Sequence, residues 1–246
     1  MTADPRVGLV TDLDELQLHY AEPPLGVRAN MIFSADGAAA FGGRAGPLSS
    51  PIDQQLLASL RSFADVVLVG AGTARAENYG PVRLTAAQRH RRAGEGRDAP
   101  PPIAVVSRTG VLPPRLFSDA QQRPILITSA VASRQRDLAA DTRWQLLTAG
   151  QDCVDIGDAV AQLTALGWPR ILCEGGPTLL DDLVDSGCLT EICVTMAPKL
   201  ASGQPVGNRV RRSALPVPTD MQLEHALVHD DYLFLKYRRP QVMHRP

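Results

Sequence analysis

Arg170-Ile171-Leu172-Cys173-Glu174-Gly175-Gly176-Pro177-Thr178-Leu179 is the stretch of this chain that says most about its fold. Arg170–Cys173 is a short apolar run of the kind a buried strand makes. Pro177 opens a helical pattern that continues to Ser186 and stops at Gly187, a C-terminal cap. Between strand and helix stand a carboxylate and two glycines. Glycine lets backbone approach a ligand closely. A helix that begins on proline leaves its first-turn amides free to face an anion such as phosphate or pyrophosphate. A plain strand-to-helix turn explains the two glycines equally well. Glu174 tilts the balance, because a buried carboxylate needs a partner.

The pattern outward from this point is strand and helix in alternation. Val27 to Ser34 reads as a strand closed by Asp36-Gly37. Ser50 can cap a helix, Pro51 fits its first position, and Asp53 completes a capping-box spacing. Ile52, Leu56, Leu57, Leu60 and Phe63 then share one broad face, and the helix leads into the apolar run Asp65 to Gly70. A helix feeding a buried strand predicts a largely parallel sheet. Further strands are expected at Ile103 to Ser107, Pro124 to Ser129, Trp144 to Thr148 and Glu191 to Ala197, with a helix over Ile156 to Leu166. Met221 to Val228 and Tyr232 to Arg238, joined by His229-Asp230-Asp231, predict an antiparallel hairpin. The expected class is α/β, a mostly parallel central sheet flanked by helices with an antiparallel C-terminal edge hairpin. Residues 1–25, polar and closing on Pro23-Pro24, read as a peripheral N-terminal arm; residues 26–246 read as a single domain. Leu84 to Pro102, which holds Arg89, His90, Arg91, Arg92 and Arg97, reads as a solvated basic loop rather than a nucleic-acid site.

Composition narrows the function. Apolar residues make up 44 % of the 246 and aromatics only 4 %, so aliphatic side chains must fill a substantial core. A formal net charge of −1 argues against nucleic acid or a membrane surface as the main partner. Cys153, Cys173, Cys188 and Cys193 form no C-x-x-C pair and have no histidine cluster beside them, so neither a metal site nor a disulfide framework is expected. Reduced thiols, an N-terminus without a basic-then-apolar leader and the lack of a run of about 20 apolar residues predict a cytoplasmic protein with no membrane span.

Candidate site residues gather at predicted strand ends, where open α/β sheets bind ligands. They are Asp36-Gly37 after the first strand, Gly70-Ala71-Gly72-Thr73 after the second, Ser107 after the third, and Glu174 to Thr178. Gly70-Ala71-Gly72-Thr73 is not a dinucleotide fingerprint, since Arg75 stands where the third glycine belongs. Arg61 and Arg83 would suit a phosphorylated substrate if they converged; for a lone arginine a surface position is the commoner outcome.

Taken in register, several segments resemble the reductase (C-terminal) domain of bacterial riboflavin biosynthesis proteins and the stand-alone pyrimidine reductases. They are Asn30-Met31-Ile32-Phe33-Ser34-Ala35-Asp36-Gly37, Leu60-Arg61 through Gly72-Thr73, Val105-Val106-Ser107, Ile171 through Leu179, and Ala197-Pro198-Lys199-Leu200. The resemblance covers about residues 27–238. It implies a dihydrofolate-reductase-like fold, usually a homodimer, that binds NADPH and reduces the ribosyl group of a phosphoribosylamino-pyrimidine to a ribityl chain. The activity is of the 5-amino-6-(5-phosphoribosylamino)uracil reductase kind. By that likeness Thr73, Glu77, Ser107, Gly175, Gly176, Pro177, Thr178 and Leu179 are candidate cofactor contacts. Asn30, Arg61, Arg83 and Glu174 are candidate substrate contacts, and Glu174 and Asp36 are candidate catalytic carboxylates. Arg108 and Arg134 are candidate partners for a 2′-phosphate, or surface charges.

The family's Asp-Asp-Pro is replaced here by Glu77-Asn78-Tyr79-Gly80, with one residue inserted before Arg83, and its Ser-Leu-Asp-Gly reads Ser-Ala-Asp-Gly. The zinc deaminase half of the bifunctional proteins is missing, since no His-x-Glu with a later Pro-Cys-x-x-Cys occurs. The altered loop keeps two alternatives open: a reductase of dihydrofolate or another heterocycle on the same fold, and a non-catalytic NADPH-binding protein.

Overall fold

The computed structural model describes residues 6–202 and 214–240. In chain order the elements are β1 (Val7–Leu9), α1 (Leu13–Leu18), β2 (Gly26–Ser34), α2 (Pro51–Phe63), β3 (Val66–Gly70), α3 (Ala71–Ala76), α4 (Ala86–Gly94), β4 (Ile103–Val106), β5 (Ile125–Thr128), α5 (Ala130–Gln135), β6 (Gln145–Thr148), α6 (Ile156–Ala165), β7 (Arg170–Cys173), α7 (Pro177–Asp185), β8 (Leu189–Ala197), β9 (Gln222–His229) and β10 (Tyr232–Arg238). One sheet runs β1-β9-β10-β8-β2-β7-β3-β4-β5-β6. Between the named strands of the described residues, only the two pairings of β10 are antiparallel. The architecture is the expected mixed α/β one.

Both faces of the sheet are covered, which is why β3 is apolar at every position from Val66 to Val69 rather than alternating. Val67 and Val69 face Leu56, Leu60 and Phe63 of α2. Val66 and Leu68 face Leu163 of α6 and Leu179 and Leu183 of α7. Ser50 caps α2 as its sequence predicts, accepting from the Asp53 amide. The Asp53 side chain, however, does not close a capping box: it turns to the hydroxyls of Ser49 and Thr195. The C-terminal hairpin turns on Asp230 and Asp231, both at positive φ, and pairs β9 with β10 antiparallel. It is not the outer edge, because β1 adds in parallel beyond β9.

Two sequence-based expectations need correcting. The described part of the N-terminal arm is no appendage: it supplies β1 and α1 and seats Leu16 and Tyr20 in the core. Residues 84–102 are not a solvated loop. Thr85 and Gln88 form a capping box for α4, and Arg91, Arg92 and Arg97 turn inward while Arg89 stays exposed. Arg92, 3 % exposed, donates to the carbonyls of Ser62, Ala64 and Ala99, and Arg97 donates to those of Phe63 and Ala64. The carbonyls at the end of α2 lack helical donors, so the cations both satisfy them and oppose the negative end of the helix dipole. Burial, then the neighbouring Arg97, pushes the Arg92 guanidinium down to about 10.

Candidate active site: a cleft at the carboxyl ends of the parallel strands

β2, β7, β3 and β4 are parallel neighbours, so their carboxyl ends lie on one side of the sheet. A cleft of about 1480 Å³ opens there. Single-ligand pockets run to roughly 1000 Å³, so this one has room for two molecules side by side.

Its floor is the turn between β7 and α7. Gly175 has φ +83°, and a Cβ on it would lie 3.1 Å from Met31 Sδ. A Cβ on Gly176 would lie 2.6 Å from Thr73 Oγ1. Glycine is therefore what lets this turn meet the start of α3, and the Gly70 amide donates to the Gly175 carbonyl at 2.9 Å. The peptide between the two glycines is cis. Gly176 caps α7 with no side chain, and Pro177 follows. The amides of Thr178 and Leu179 are thus left facing the cleft with no acceptor of the helical kind, at the positive end of the dipole. Thr73, Ser107, Gly175, Gly176, Pro177, Thr178 and Leu179 all line this one cavity.

One wall comes from α2. Asp53, Leu57 and Arg61 lie four residues apart, one stripe on successive turns, and all three line the cleft. Arg61 reaches Glu174 as a fork: Nε to Oε1 at 2.7 Å and Nη2 to Oε2 at 2.6 Å. The Tyr79 hydroxyl donates to Oε2 at 2.5 Å. For Arg61 burial favours the neutral form, but the charge and hydrogen bonds of Glu174 outweigh it and raise its pKa. Burial, then the charge of Glu174, pushes the Tyr79 hydroxyl well above its ordinary range, so it stays a donor. Three hydrogen bonds converge on the Glu174 carboxylate and hold its orientation. One lone pair of Oε1 remains for a ligand.

Asp53 is a second buried carboxylate on the same wall, 8 % exposed. Ser49 Oγ donates to Oδ2 at 2.5 Å and Thr195 Oγ1 to Oδ1 at 2.8 Å. Burial raises its pKa, and the two hydroxyls pull the other way.

The structure sorts the remaining candidates. Asn30 and Arg83 line the cleft, and Arg83 makes no hydrogen bond or ion pair among the described residues. Ser107 lines it too, and its hydroxyl accepts from the amides of Thr109 and Gly110. Glu77 lines it as a brace: its carboxylate accepts from the Ala45 amide at 2.6 Å and meets Arg44 at 3.5 Å, tying down the Gly-rich loop of residues 42–46. Arg108 lies on the cleft and Arg134 does not.

Asp36 must be corrected as a catalytic candidate. The β2–β7 ladder ends at Ala29↔Cys173, so Asn30 is level with Glu174, while β2 runs on against β8 to Ser34. Along this strand the cleft lining stops at Ile32, and Asp36, in the turn beyond Ser34, is not part of it. It is exposed, and it fastens residues 199–202 by accepting from the amides of Ala201 and Ser202 and the hydroxyl of Ser34.

Tyr79 and Asp53 are two cleft residues that sequence reasoning did not put forward for the site. Tyr79 sits in the loop where the riboflavin-pathway pattern is broken, and that break was the available signal. Asp53 carried a signal of another kind, its capping-box spacing, which pointed away from the cleft.

Comparison with known proteins gives the family and the fold. A family model described as RibD C-terminal domain matches residues 26–229. The 2,5-diamino-6-ribosylamino-4(3H)-pyrimidinone 5′-phosphate reductase of Archaeoglobus fulgidus is 26 % identical over 160 residues, 64 % of this chain and 72 % of that one. Its namesake from Methanothermobacter thermautotrophicus is 26 % identical over 175 residues, 71 % and 78 % of the two chains. Among solved structures, a pyrimidine reductase-like protein from Corynebacterium diphtheriae superposes with a TM-score of 0.78 at 26 % identity, over 94 % of this chain and all of that one. A bifunctional deaminase/5-amino-6-(5-phosphoribosylamino)uracil reductase from Thermotoga maritima, 17 % identical, superposes with a TM-score of 0.68 over 93 % of this chain and 60 % of that one, a likeness of fold.

Proposed function

This chain belongs to the RibD C-terminal domain family, and on that premise we propose that it is an NADPH-dependent reductase in riboflavin biosynthesis that turns the ribosyl group of a phosphoribosylamino-pyrimidine into a ribityl chain. The observation that carries the reading is the meeting of the Glu174–Leu179 turn with Thr73 in one cleft large enough for cofactor and substrate together.

The residues present fit a nicotinamide dinucleotide. Gly175 and Gly176 let the chain come close, and the Thr178 and Leu179 amides face the cleft as donors for a pyrophosphate. Thr73 and Ser107 flank them. Arg108, a cation on the same wall, suits the 2′-phosphate that distinguishes NADPH from NADH. When bound, the reduced nicotinamide supplies the hydride.

The chain's own residues do the positioning. Arg61 and Tyr79 fix the rotamer of Glu174, whose spare lone pair accepts a donor of the substrate. Arg83 and Asn30 face the same space, Arg83 as a cation for the substrate phosphate. The altered 77–80 loop supports the catalytic reading rather than a cofactor-binding relic. Tyr79 takes part in orienting Glu174, and Glu77 braces the 42–46 loop beside the cleft. In this reading the chain is a single cytoplasmic reductase domain that works as a homodimer.

Steady-state oxidation of NADPH with the pathway pyrimidine, with NADH in place of NADPH, and with dihydrofolate as acceptor tests the proposal. Turnover of the pathway compound with NADPH, cut at least about 100-fold in kcat/KM by Arg61→Ala, is expected. A clear preference for dihydrofolate, or full activity in both Arg61→Ala and Glu174→Gln, would overturn it.

A further inference from the structure

Residues 39–46, in the loop between β2 and α2, lie along the cleft: Ala39, Ala40, Gly43, Arg44, Ala45 and Gly46 all line it. The segment is fixed at both ends. Ala38 and Leu48 are buried, and Ala38 exchanges hydrogen bonds with Ser34. The carbonyls of Pro47 and Leu48 accept from Lys199 Nζ at 2.7 Å and from the Tyr232 hydroxyl at 2.9 Å. Between those anchors little holds it. Phe41, its one large apolar side chain, is 57 % exposed, and its tip turns on Gly42 and Gly43, both at positive φ. Apart from local turns to Leu48 and Ser49, its hydrogen bonds and ion pairs to the rest of the described residues converge on one side chain, Glu77. Oε1 of Glu77 accepts from the Ala45 amide at 2.6 Å, and Oε2 lies 3.5 Å from Arg44 Nε.

Glu77 belongs to a second wall. α3 starts at the glycine turn, where Thr73 meets Gly176, and Glu77 follows one helical turn beyond Thr73, its amide bonded to the Thr73 carbonyl. The loop itself runs into the start of α2, where Ser49, Asp53 and Gln54 line the cleft. From Asp53 to Arg61, the residue that meets Glu174, α2 rises about 12 Å. The Glu77 contacts therefore strap two walls together at the end of the cleft away from the glycine turn. That is the end which the reductase reading leaves for the pyrimidine.

Resting on the reductase reading, we propose that Glu77 is a positioning residue: it latches the 39–46 loop over the substrate end of the cleft, and it acts on the pyrimidine and not on the cofactor. With the loop down, the pyrimidine is held and water is kept from the reacting carbon. With the latch released, the pyrimidine enters and the product leaves. A carboxylate that accepts from a backbone amide and faces a guanidinium favours the closed loop by a factor of about 10–100. That is strong enough to keep the loop down and weak enough to let it open, since few apolar contacts oppose the movement. The apparent affinity of a ligand that needs the closed loop falls with the closed fraction. Loosening the latch therefore weakens the hold on the pyrimidine, whereas NADPH, with its proposed contacts at the glycine turn, is spared.

Trypsin reads the latch directly, because the peptide bond it cuts after Arg44 carries the amide that Glu77 holds. Without ligand, Glu77→Ala should be cut at that bond on the order of 10-fold faster than the wild type, the fragments being assigned by mass spectrometry. Glu77→Gln keeps an acceptor for the amide and loses the charge facing Arg44, so it should fall between the two. In the wild type, 2,5-diamino-6-ribosylamino-4(3H)-pyrimidinone 5′-phosphate should protect the bond, and NADPH alone should not. In steady-state turnover Glu77→Ala should raise KM for the pyrimidine on the order of 10-fold and leave kcat and the KM for NADPH within about 3-fold, with Glu77→Gln recovering most of the loss. Equal cutting of wild type and Glu77→Ala, protection by NADPH alone, or a KM change shared by both substrates overturns the proposal and leaves the reductase reading standing. Reduction of no pyrimidine by the wild type overturns the reductase reading itself and this assignment with it. Should Glu77→Ala not fold, Glu77→Gln decides by the same readings.

Discussion

Removing Arg61 should destabilise this protein more than neutralising Glu174, although the two share one ion pair. The Glu174 side chain is 3 % exposed and that of Arg61 25 % exposed. Arg61→Ala takes away two of the three donors on a carboxylate with almost no access to water, and leaves Tyr79 as its one partner. Breaking a buried pair from that side costs about 3–5 kcal/mol, and the open cleft beside it puts the expectation near the lower figure, about 3 kcal/mol. Glu174→Gln keeps an acceptor for Tyr79 and for one guanidinium N–H, and Arg61 has solvent to turn to. Its cost is that of weakened charged hydrogen bonds, about 1–2 kcal/mol. The double variant should fall short of the sum, with a coupling of about 1.5–3 kcal/mol.

Urea unfolding followed by circular dichroism, on the wild type, both single variants and the double, gives the full cycle. In thermal melts about 2–4 °C per kcal/mol translates these costs into a drop of roughly 6–12 °C for Arg61→Ala. A Glu174→Gln cost equal to or above that of Arg61→Ala, or a coupling below about 0.5 kcal/mol, would refute the claim that the carboxylate is buried behind the guanidinium.

Two further expectations concern the turns at the cleft and the tie at Asp36. Gly175→Ala must take φ +83° and bring its methyl to 3.1 Å from Met31 Sδ, so it should lower the melting temperature by a cost of at least about 1 kcal/mol. Gly72→Ala, in α3 with open space around its Cβ, should raise the melting temperature slightly, and shifts of the same sign would contradict the geometry. Asp36 is held down to about 2 from an ordinary 3.8, chiefly by the Ser34 hydroxyl and then by the Ala201 and Ser202 amides. A folded value below the unfolded one means that the tie is complete above about pH 4 and is lost as the pH falls from 3.8 towards 2. Amide exchange at Ala201 and Ser202 should quicken across that window in the wild type and already be fast at neutral pH in Asp36→Ala; protection that ignores both pH and substitution would exclude the tie.

The elements that proved legible in the amino-acid order are those whose cause is local. The Ser50 cap, the proline starts of α2 and α7, Gly187 at positive φ after α7 and the Asp230-Asp231 turn each depend on neighbours a few residues away. The apolar runs of β3, β4, β5 and β7 marked a covered parallel sheet for the same reason. That logic was enough to put Thr73, Ser107 and the Glu174–Leu179 turn on one side of the molecule. Helix α4 escaped it because its inward face is built from Arg92, not from an apolar stripe, and it is anchored on the carbonyls that end α2.

Sequence by itself thus determined the strand-and-helix alternation, the glycine turn and the family pattern, since hydrophobic periodicity and backbone sterics act within a few residues. Tertiary structure alone decided which charges meet. Arg61 finds Glu174 113 residues away, Tyr79 finds it 95 away, and Asp53 finds Thr195 142 away. It also decided that Asp36 overshoots the cleft, because the length over which β2 pairs with β7 rather than β8 is a property of the assembled sheet. Electrostatic pairing depends on distance through space and on the water excluded around the pair, and a linear order of residues contains neither.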